Sequence, residues 1–163
     1  YMKKLCILVV ILVAMLSVNA KTMIYKGSSS NWSNCAATYS EGKVYRGTST
    51  NWSDCIATYS NGKFFRGNST NWSDCIATYS GGKLFSGNST NWSSCIATYS
   101  DGKIYKGNST NWSDCVATYR GGMLYRGNST NWSDCIFTFS SEYEITPALV
   151  MWVVYNFYQM YFE

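Results

Sequence analysis

A twenty-residue unit is written six times in this chain, and no other feature of its 163 residues limits the fold so strongly. Counted from Tyr25, the units are 25–44, 45–64, 65–84, 85–104, 105–124 and 125–144. All six keep the glycine of a Y-x-G-like step (Gly27, Gly47, Gly67, Gly87, Gly107, Gly127) and an Asn-Trp-Ser triplet, from Asn31-Trp32-Ser33 to Asn131-Trp132-Ser133. A cysteine follows two residues after the triplet, and a threonine three residues later. A unit this short cannot enclose a core of its own, so it must bury its apolar surface against copies of itself.

Two segments of each unit have strand character. One is Cys-Ile-Ala-Thr-Tyr, β-branched and aromatic, and the other follows the turn as Lys-Leu-Phe or Lys-Ile-Tyr. Between them stand Glu41-Gly42, Asn61-Gly62, Gly81-Gly82, Asp101-Gly102 and Gly121-Gly122, pairs that favour the positive φ angles of a type I′ hairpin turn. That turn predicts Tyr79 opposite Leu84 and Thr78 opposite Phe85. Strict alternation then places cysteine, alanine, tyrosine and the aliphatic after the turn on one face, with isoleucine, threonine and the Y-x-G aromatic on the other. The remaining stretch, such as Gly67–Cys75, is rich in Ser, Thr, Asn and Asp, which favour turns and single helical turns. Its tryptophan is expected to plug the corner between units.

The expected fold class is therefore all-β: an elongated array of six 20-residue β repeats, either a β-solenoid or a hairpin ribbon. Rungs of a solenoid advance by about 4.8 Å per repeat, and hairpins by about 9.6 Å. The turn residues favour hairpins and the short period favours a solenoid.

The two ends differ from the array. Lys3 and Lys4, then the apolar run Leu5–Leu16, then Ser17-Val18-Asn19-Ala20 have the make-up of a secretory signal peptide over residues 1–20, cleaved after Ala20. Residues 21–144 would form the six-repeat β array, secreted or periplasmic. At the other end Thr146-Pro147 is a helix start, with a capping hydroxyl and proline at the first helical position. Residues 145–163 are expected to form an apolar helix capping the open end of the array.

Little in the chain suggests chemistry. There is no histidine, the commonest general base, and the serines and aspartates recur with the period instead of standing singly. An enzyme is not expected, nor a cofactor. Cys35, Cys55, Cys75, Cys95, Cys115 and Cys135 form a column, either of disulfides or of buried thiols. Solenoid rungs are close enough to pair and hairpin repeats are not. Zinc is disfavoured, since C-x-x-C pairs and histidine are both missing. Asp54, Asp74, Asp114 and Asp134 are expected to bond within their turns. Of 13 basic residues two leave with the signal segment, so 11 face 9 acidic ones, too slight an excess to indicate nucleic acid. Basic residues nevertheless recur in columns: Lys26, Arg46, Arg66, Lys106 and Arg126, and Lys43, Lys63, Lys83 and Lys103.

Trp32, Trp52, Trp72, Trp92, Trp112 and Trp132 are either packing elements or flat platforms for sugar rings. The threonine column also admits an ice-binding solenoid. Asn-x-Ser/Thr sequons recur in every unit, a by-product of the turn composition.

The string Y-R-G-N-S-T-N-W-S-D-C-I-A-T-Y-S-G-G-K resembles short exported bacterial repeat proteins of the type Y-x-G-x-S…S-D…T-x-x-G with an apolar C-terminal helix. That resemblance spans the mature chain and implies no particular activity. A looser similarity is to MORN repeats, which also set Y-x-G after an x-Gly hairpin turn; the period of 20 and the missing Gly-x-Gly strand depart from them. The function expected is a non-enzymatic structural or binding module at the cell surface, its partner a glycan or another surface protein, with self-association as the structural variant.

Overall fold

A computed structural model of the chain describes residues 21–142 and 145–158. The signal segment expected at 1–20 lies outside the described residues. The chain forms twelve antiparallel strands closed into one barrel. Six are long: β2 (Cys35–Ser40), β4 (Cys55–Ser60), β6 (Cys75–Ser80), β8 (Cys95–Ser100), β10 (Cys115–Arg120) and β12 (Cys135–Phe139). Six are short: β1 (Thr22–Lys26), β3 (Lys43–Arg46), β5 (Lys63–Arg66), β7 (Lys83–Ser86), β9 (Lys103–Lys106) and β11 (Met123–Arg126).

The hairpins form as the turn residues predict. Glu41, Asn61 and Asp101 sit at φ of 49–50° with their glycines at 74–75°, and Tyr79 opposes Leu84 while Thr78 opposes Phe85. Glycine is required at the second turn position for space as well as for φ. A Cβ at Gly102 would stand 2.9 Å from the carbonyl oxygen of Tyr119 on the next hairpin.

The array is neither a solenoid nor elongated. Successive hairpins pair edge to edge, and the last pairs with the first. The described ring opens on the post-turn strand of a hairpin and ends on a pre-turn strand, so β12 and β1 complete the sixth hairpin without a turn between them. Phe139 opposes Ile24, Thr138 opposes Tyr25 and Phe137 opposes Lys26, the register that Tyr39, Thr38 and Ala37 keep with Val44, Tyr45 and Arg46. This explains Ser141-Glu142 where the other units have x-Gly: at that point the ring has no turn to make. Closure removes the exposed edges that an open ribbon would leave to pair with other chains.

The strict alternation expected from the sequence fails at one residue per unit. Val44 faces Ala57 but Tyr45 faces Cys55, so Ile56 is an extra residue in a β-bulge, and the same shift recurs at every inter-hairpin pairing. A single inserted residue reverses the parity of everything before it. Ala57, Tyr59 and Phe64 therefore face inward as expected, but Cys55 joins Thr58 on the outer face, its Sγ 3.9 Å from the Thr58 Oγ1. Ile56 turns against the core instead.

Helix α1 (Pro147–Phe157) begins where the sequence places it, with the Leu149 N–H donating to the Thr146 hydroxyl at 3.3 Å. Its position differs from the expected cap. Ala148 to Val154 are all buried, and seven successive helical residues cover every side of the axis. They share one core with Ile24, Val44, Phe64, Leu84, Ile104 and Leu124, one from each short strand. Trp152 stacks on Phe64 at 5.5 Å, and Phe157 meets Phe137 at 6.1 Å. The helix thus runs through the lumen.

Size explains the arrangement. Twelve strands about 4.8 Å apart make a wall about 58 Å round, about 18 Å across before tilt widens it. A helix needs about 10–12 Å with its side chains. The alanines opposite it (Ala37, Ala57, Ala77, Ala97, Ala117) leave the room, all of them 0–1 % exposed. At about 1.5–3 kcal/mol for each large apolar side chain buried, the plug outweighs any polar contact in the molecule. At the turn end the lumen closes on Tyr59, Tyr79, Tyr99 and Tyr119, whose hydroxyls burial holds above their ordinary pKa. Tyr119 is pushed up to about 12 by burial and by the neighbouring Glu142 and Tyr99.

Overpacking the wall tests this placement. Ala97→Leu adds volume where the wall has none to spare and should cost about 1–3 kcal/mol in urea unfolding. The same change at an exposed position, Ser93→Leu, should shift stability by less than about 0.5 kcal/mol.

Candidate functional site

The loops between hairpins carry the residues that repetition holds most strictly. Each leaves the end of a short strand at a glycine, whose N–H returns to the next-to-first residue of the preceding long strand, as Gly67 to the Ile56 carbonyl at 3.0 Å. The invariant threonine fixes the same glycine from outside: Thr58 Oγ1 donates to the Gly67 carbonyl at 2.7 Å, and the bond recurs at all six units, across the closure as Thr138 to Gly27 at 2.8 Å. These threonines are consumed by the fold and mostly buried, so the column presents no threonine face to solvent.

Beyond the glycine, a serine staples the loop. Ser69 Oγ accepts the Asn71 N–H at 3.0 Å and donates to the Asp74 carboxylate at 2.5 Å. Ser49, Ser109 and Ser129 do the same for Asp54, Asp114 and Asp134. The aspartates thus act inside their turns, and among the described residues no cluster of metal-ligating side chains forms. A one-turn 3₁₀ helix, Trp72–Asp74 and its five equivalents, then leads into the next long strand.

A second contact ties each loop to its predecessor. Lys43 Nζ donates to Asn68 Oδ1 at 3.1 Å, and Asn68 Nδ2 donates to the Trp52 carbonyl at 2.6 Å. Lys103, Asn128 and Trp112 repeat it in full, while Lys63 reaches Asn88 at 2.6 Å and leaves the Asn88 Nδ2 without a partner. At Asn108 the amide oxygen has no partner. The six copies vary here in concert. Lysine at 43, 63, 83 and 103 goes with asparagine at 68, 88, 108 and 128. Where methionine stands instead, at Met23 and Met123, the facing positions are Thr48 and, around the ring, Ser28. The Tyr25 and Tyr125 hydroxyls turn to those methionine sulfurs at 3.0 and 3.3 Å.

The cysteines are free, each half-buried on the outer face with Sγ against the carbonyl two residues on, as Cys35 to Ala37 at 3.4 Å. Equivalent cysteines are two strands apart, about 9.6 Å, beyond the 4.4–6.8 Å reach of a disulfide. Burial also holds the Cys115 thiol above its ordinary pKa, which suits a packing residue.

The tryptophans do not plug the corners. Trp32, Trp52, Trp72, Trp92, Trp112 and Trp132 are 64–78 % exposed. Each indole forgoes burial of about 100–200 Å² of the about 150–250 Å² that a tryptophan offers, or about 2.5–5 kcal/mol at 25 cal/mol/Å². A cleft of about 380 Å³ beside Trp72 is lined by Ser60, Asn61, Lys63, Phe65 and Thr70, with Lys63 Nζ 5.6 Å from the ring centre. Asn71, next to it, is exposed and makes no capping bond with its side chain.

The exposed positions of the six units have not drifted equally. The first turn residue is Glu41, Asn61, Gly81, Asp101 or Gly121, yet the exposed Asn-Trp-Ser is identical six times. The 3₁₀ turn uses only the backbone of the triplet, as in the Asp74 N–H to the Asn71 carbonyl at 3.0 Å. Folding alone does not ask for these side chains. This difference between exposed positions is the signal in the sequence that marks the tryptophans as surface residues.

A double-mutant cycle tests the lysine–asparagine contact. Lys63→Met and Asn88→Ser should each cost about 0.5–1.5 kcal/mol in urea unfolding. Together they should cost less than the sum by about 0.5 kcal/mol or more, since the pair then has the make-up found at Met123 and Ser28.

Comparison with curated proteins and with solved structures finds no match to the chain. The family model of the 6-fold beta flower protein does match, over residues 24–151, from the first strand of the ring into the helix that fills it. The chain belongs to that family.

Proposed function

We propose that the protein is a non-enzymatic, multivalent binding module whose six tryptophan loops take the apolar faces of neutral sugar rings. The observation that carries this is the set of six indoles, 64–78 % exposed and never varied, where the other large apolar side chains among the described residues are buried or partly buried. A pyranose presents a flat C–H face, which the negative face of an indole attracts. The unused Asn71 amide beside Trp72 has both a donor and an acceptor for the hydroxyls at the ring's edge. A cleft of about 380 Å³ is at the small end of ligand sites, the size for one or two sugar units.

One shallow site binds weakly. Six on a closed, stiff ring bind a repetitive surface with far greater avidity, because later contacts are made at high effective concentration. Export to a cell surface, which the N-terminal segment suggests, would place the ring where such ligands occur.

Assembly is the competing use of exposed indoles, and one experiment separates the two. Immobilised neutral glycans should retain the wild-type protein, and Trp72→Ala with Trp92→Ala should weaken retention at least tenfold while the melting temperature stays within about 3 °C. If no glycan is retained and light scattering shows indole-dependent oligomers, the ring is a structural unit and the proposal fails.

A further inference from the structure

We infer that Lys63 and Lys83 set the specificity of the Trp72 and Trp92 loops, turning these two of the six toward a pyranose that carries a carboxylate. The inference rests on the tryptophan reading and deepens it: the sugar's face lies on the indole, and the lysine takes the acid at the sugar's edge.

The loops are not alike around their tryptophans. The residue nine places before each indole is Met23, Lys43, Lys63, Lys83, Lys103 or Met123 in turn. Exposure divides the same way. Trp32 and Trp132, the two methionine loops, are 68 and 64 % exposed, and the four lysine loops are 74–78 % exposed. At Trp72 the lysine lines the same cleft as the indole, its Nζ 5.6 Å from the ring centre, so one ligand can touch both. An ammonium has three N–H groups. Lys63 donates to Asn88 Oδ1 at 2.6 Å and to Thr78 Oγ1 at 3.5 Å, and Lys83 donates to Thr98 Oγ1 at 3.5 Å. These partners among the described residues are neutral, so each lysine keeps its charge and at least one N–H for an anion.

Carboxylates decide which lysines can serve. Glu41 and Asp101 stand at the turns two residues before Lys43 and Lys103. Both act on the tyrosine of their own unit. Burial, Cys55 and Glu41 hold the Tyr45 hydroxyl above its ordinary pKa, and burial, Cys115 and Asp101 do the same to Tyr105. At the Trp72 cleft the corresponding residues are Asn61 and Phe65, and at Trp92 they are Gly81 and Phe85. In the one-turn helices, Asp74 is engaged by the Ser69 hydroxyl at 2.5 Å, and the Trp92 loop has Ser94 in place of the aspartate. An acid entering the Trp52 or Trp112 loop meets a like charge at the turn. One entering the Trp72 or Trp92 loop meets a lysine and a neutral turn. A single ammonium beside a flat apolar face suits one acid group on one ring, the make-up of a hexuronic acid, and the cleft of about 380 Å³ has room for it.

The probe is trigalacturonate, with its methyl ester as the uncharged twin, titrated into the full chain and followed by NMR at each indole N–H. At Trp72 and Trp92 the acid should bind at least fivefold tighter than the ester at low salt. At Trp32 and Trp132 the two should agree within twofold. Added salt should shrink the preference, because the lysines are open to solvent. Lys63→Met with Asn88→Ser reproduces the make-up the ring already holds at Met123 and Ser28, and should bring the two affinities at Trp72 within twofold of each other. Glu41→Asn copies Asn61 and should raise the acid's advantage at Trp52 at least threefold. The inference is overturned if all six indoles share one preference, or if either variant leaves the preference where it was. Ester binding with no advantage for the acid at Trp72 and Trp92 sinks this inference and keeps the tryptophan proposal, whereas no response of any indole to either sugar sinks both.

Discussion

Everything in this molecule depends on a ring of strands closing around one apolar helix. A single hairpin of this kind has two open edges and a bare inner face, and neither defect is cured by adding more hairpins in a row. Pairing β12 with β1 removes the edges, and α1 covers the inner face of all six units at once. The two solutions depend on each other. An empty lumen about 18 Å across would leave the wall residues in contact with water, and without a closed wall the helix would have nothing on most of its sides.

That division of labour frees the outside. The wall and helix hold the core, threonine and glycine hold each loop base, and serine with aspartate staples most of the loops. What remains on the loops is Asn-Trp-Ser, for which the fold has no use. The inner mouth is similar: the alanine level is tightly packed, and the level of Arg46 and Arg66 opposes it on the same face but opens to solvent. Exposed indoles are thus repeated around a rigid frame.

Much of this was legible in the sequence, and the failures have definite causes. The hairpin register follows from Asn-Gly and Asp-Gly turns, and the helix start from Thr146-Pro147, because both are set by local backbone chemistry. Closure was not legible as such, although its mark was: the turn glycine missing after Ser140 is where the ring has no turn. The faces of Cys55 and Ile56 are the reverse of what strict alternation predicts, because a bulge has no letter of its own in a strand of β-branched residues. The helix looked like a cap because its letters are apolar on all sides, and only the diameter of a twelve-stranded wall shows that such a helix fits inside. The tryptophans were expected to pack, as tryptophan generally does; the drift of the turn residues beside an unchanging Asn-Trp-Ser points the other way.

Amide hydrogen exchange at two equivalent sites tests closure most directly. The Gly27 N–H bonds to the Ile136 carbonyl at 2.7 Å across the junction of the chain's first and last strands, and the Gly67 N–H bonds to Ile56 at 3.0 Å within a continuous hairpin. If the ring opens only when the whole molecule unfolds, both amides should exchange with the same free energy, and so should the Val150 amide in the helix. Exchange at Gly27 or Val150 a hundredfold faster than at Gly67 would show a row of hairpins with a frayed end and a loosely held helix, and would contradict the closed, filled barrel.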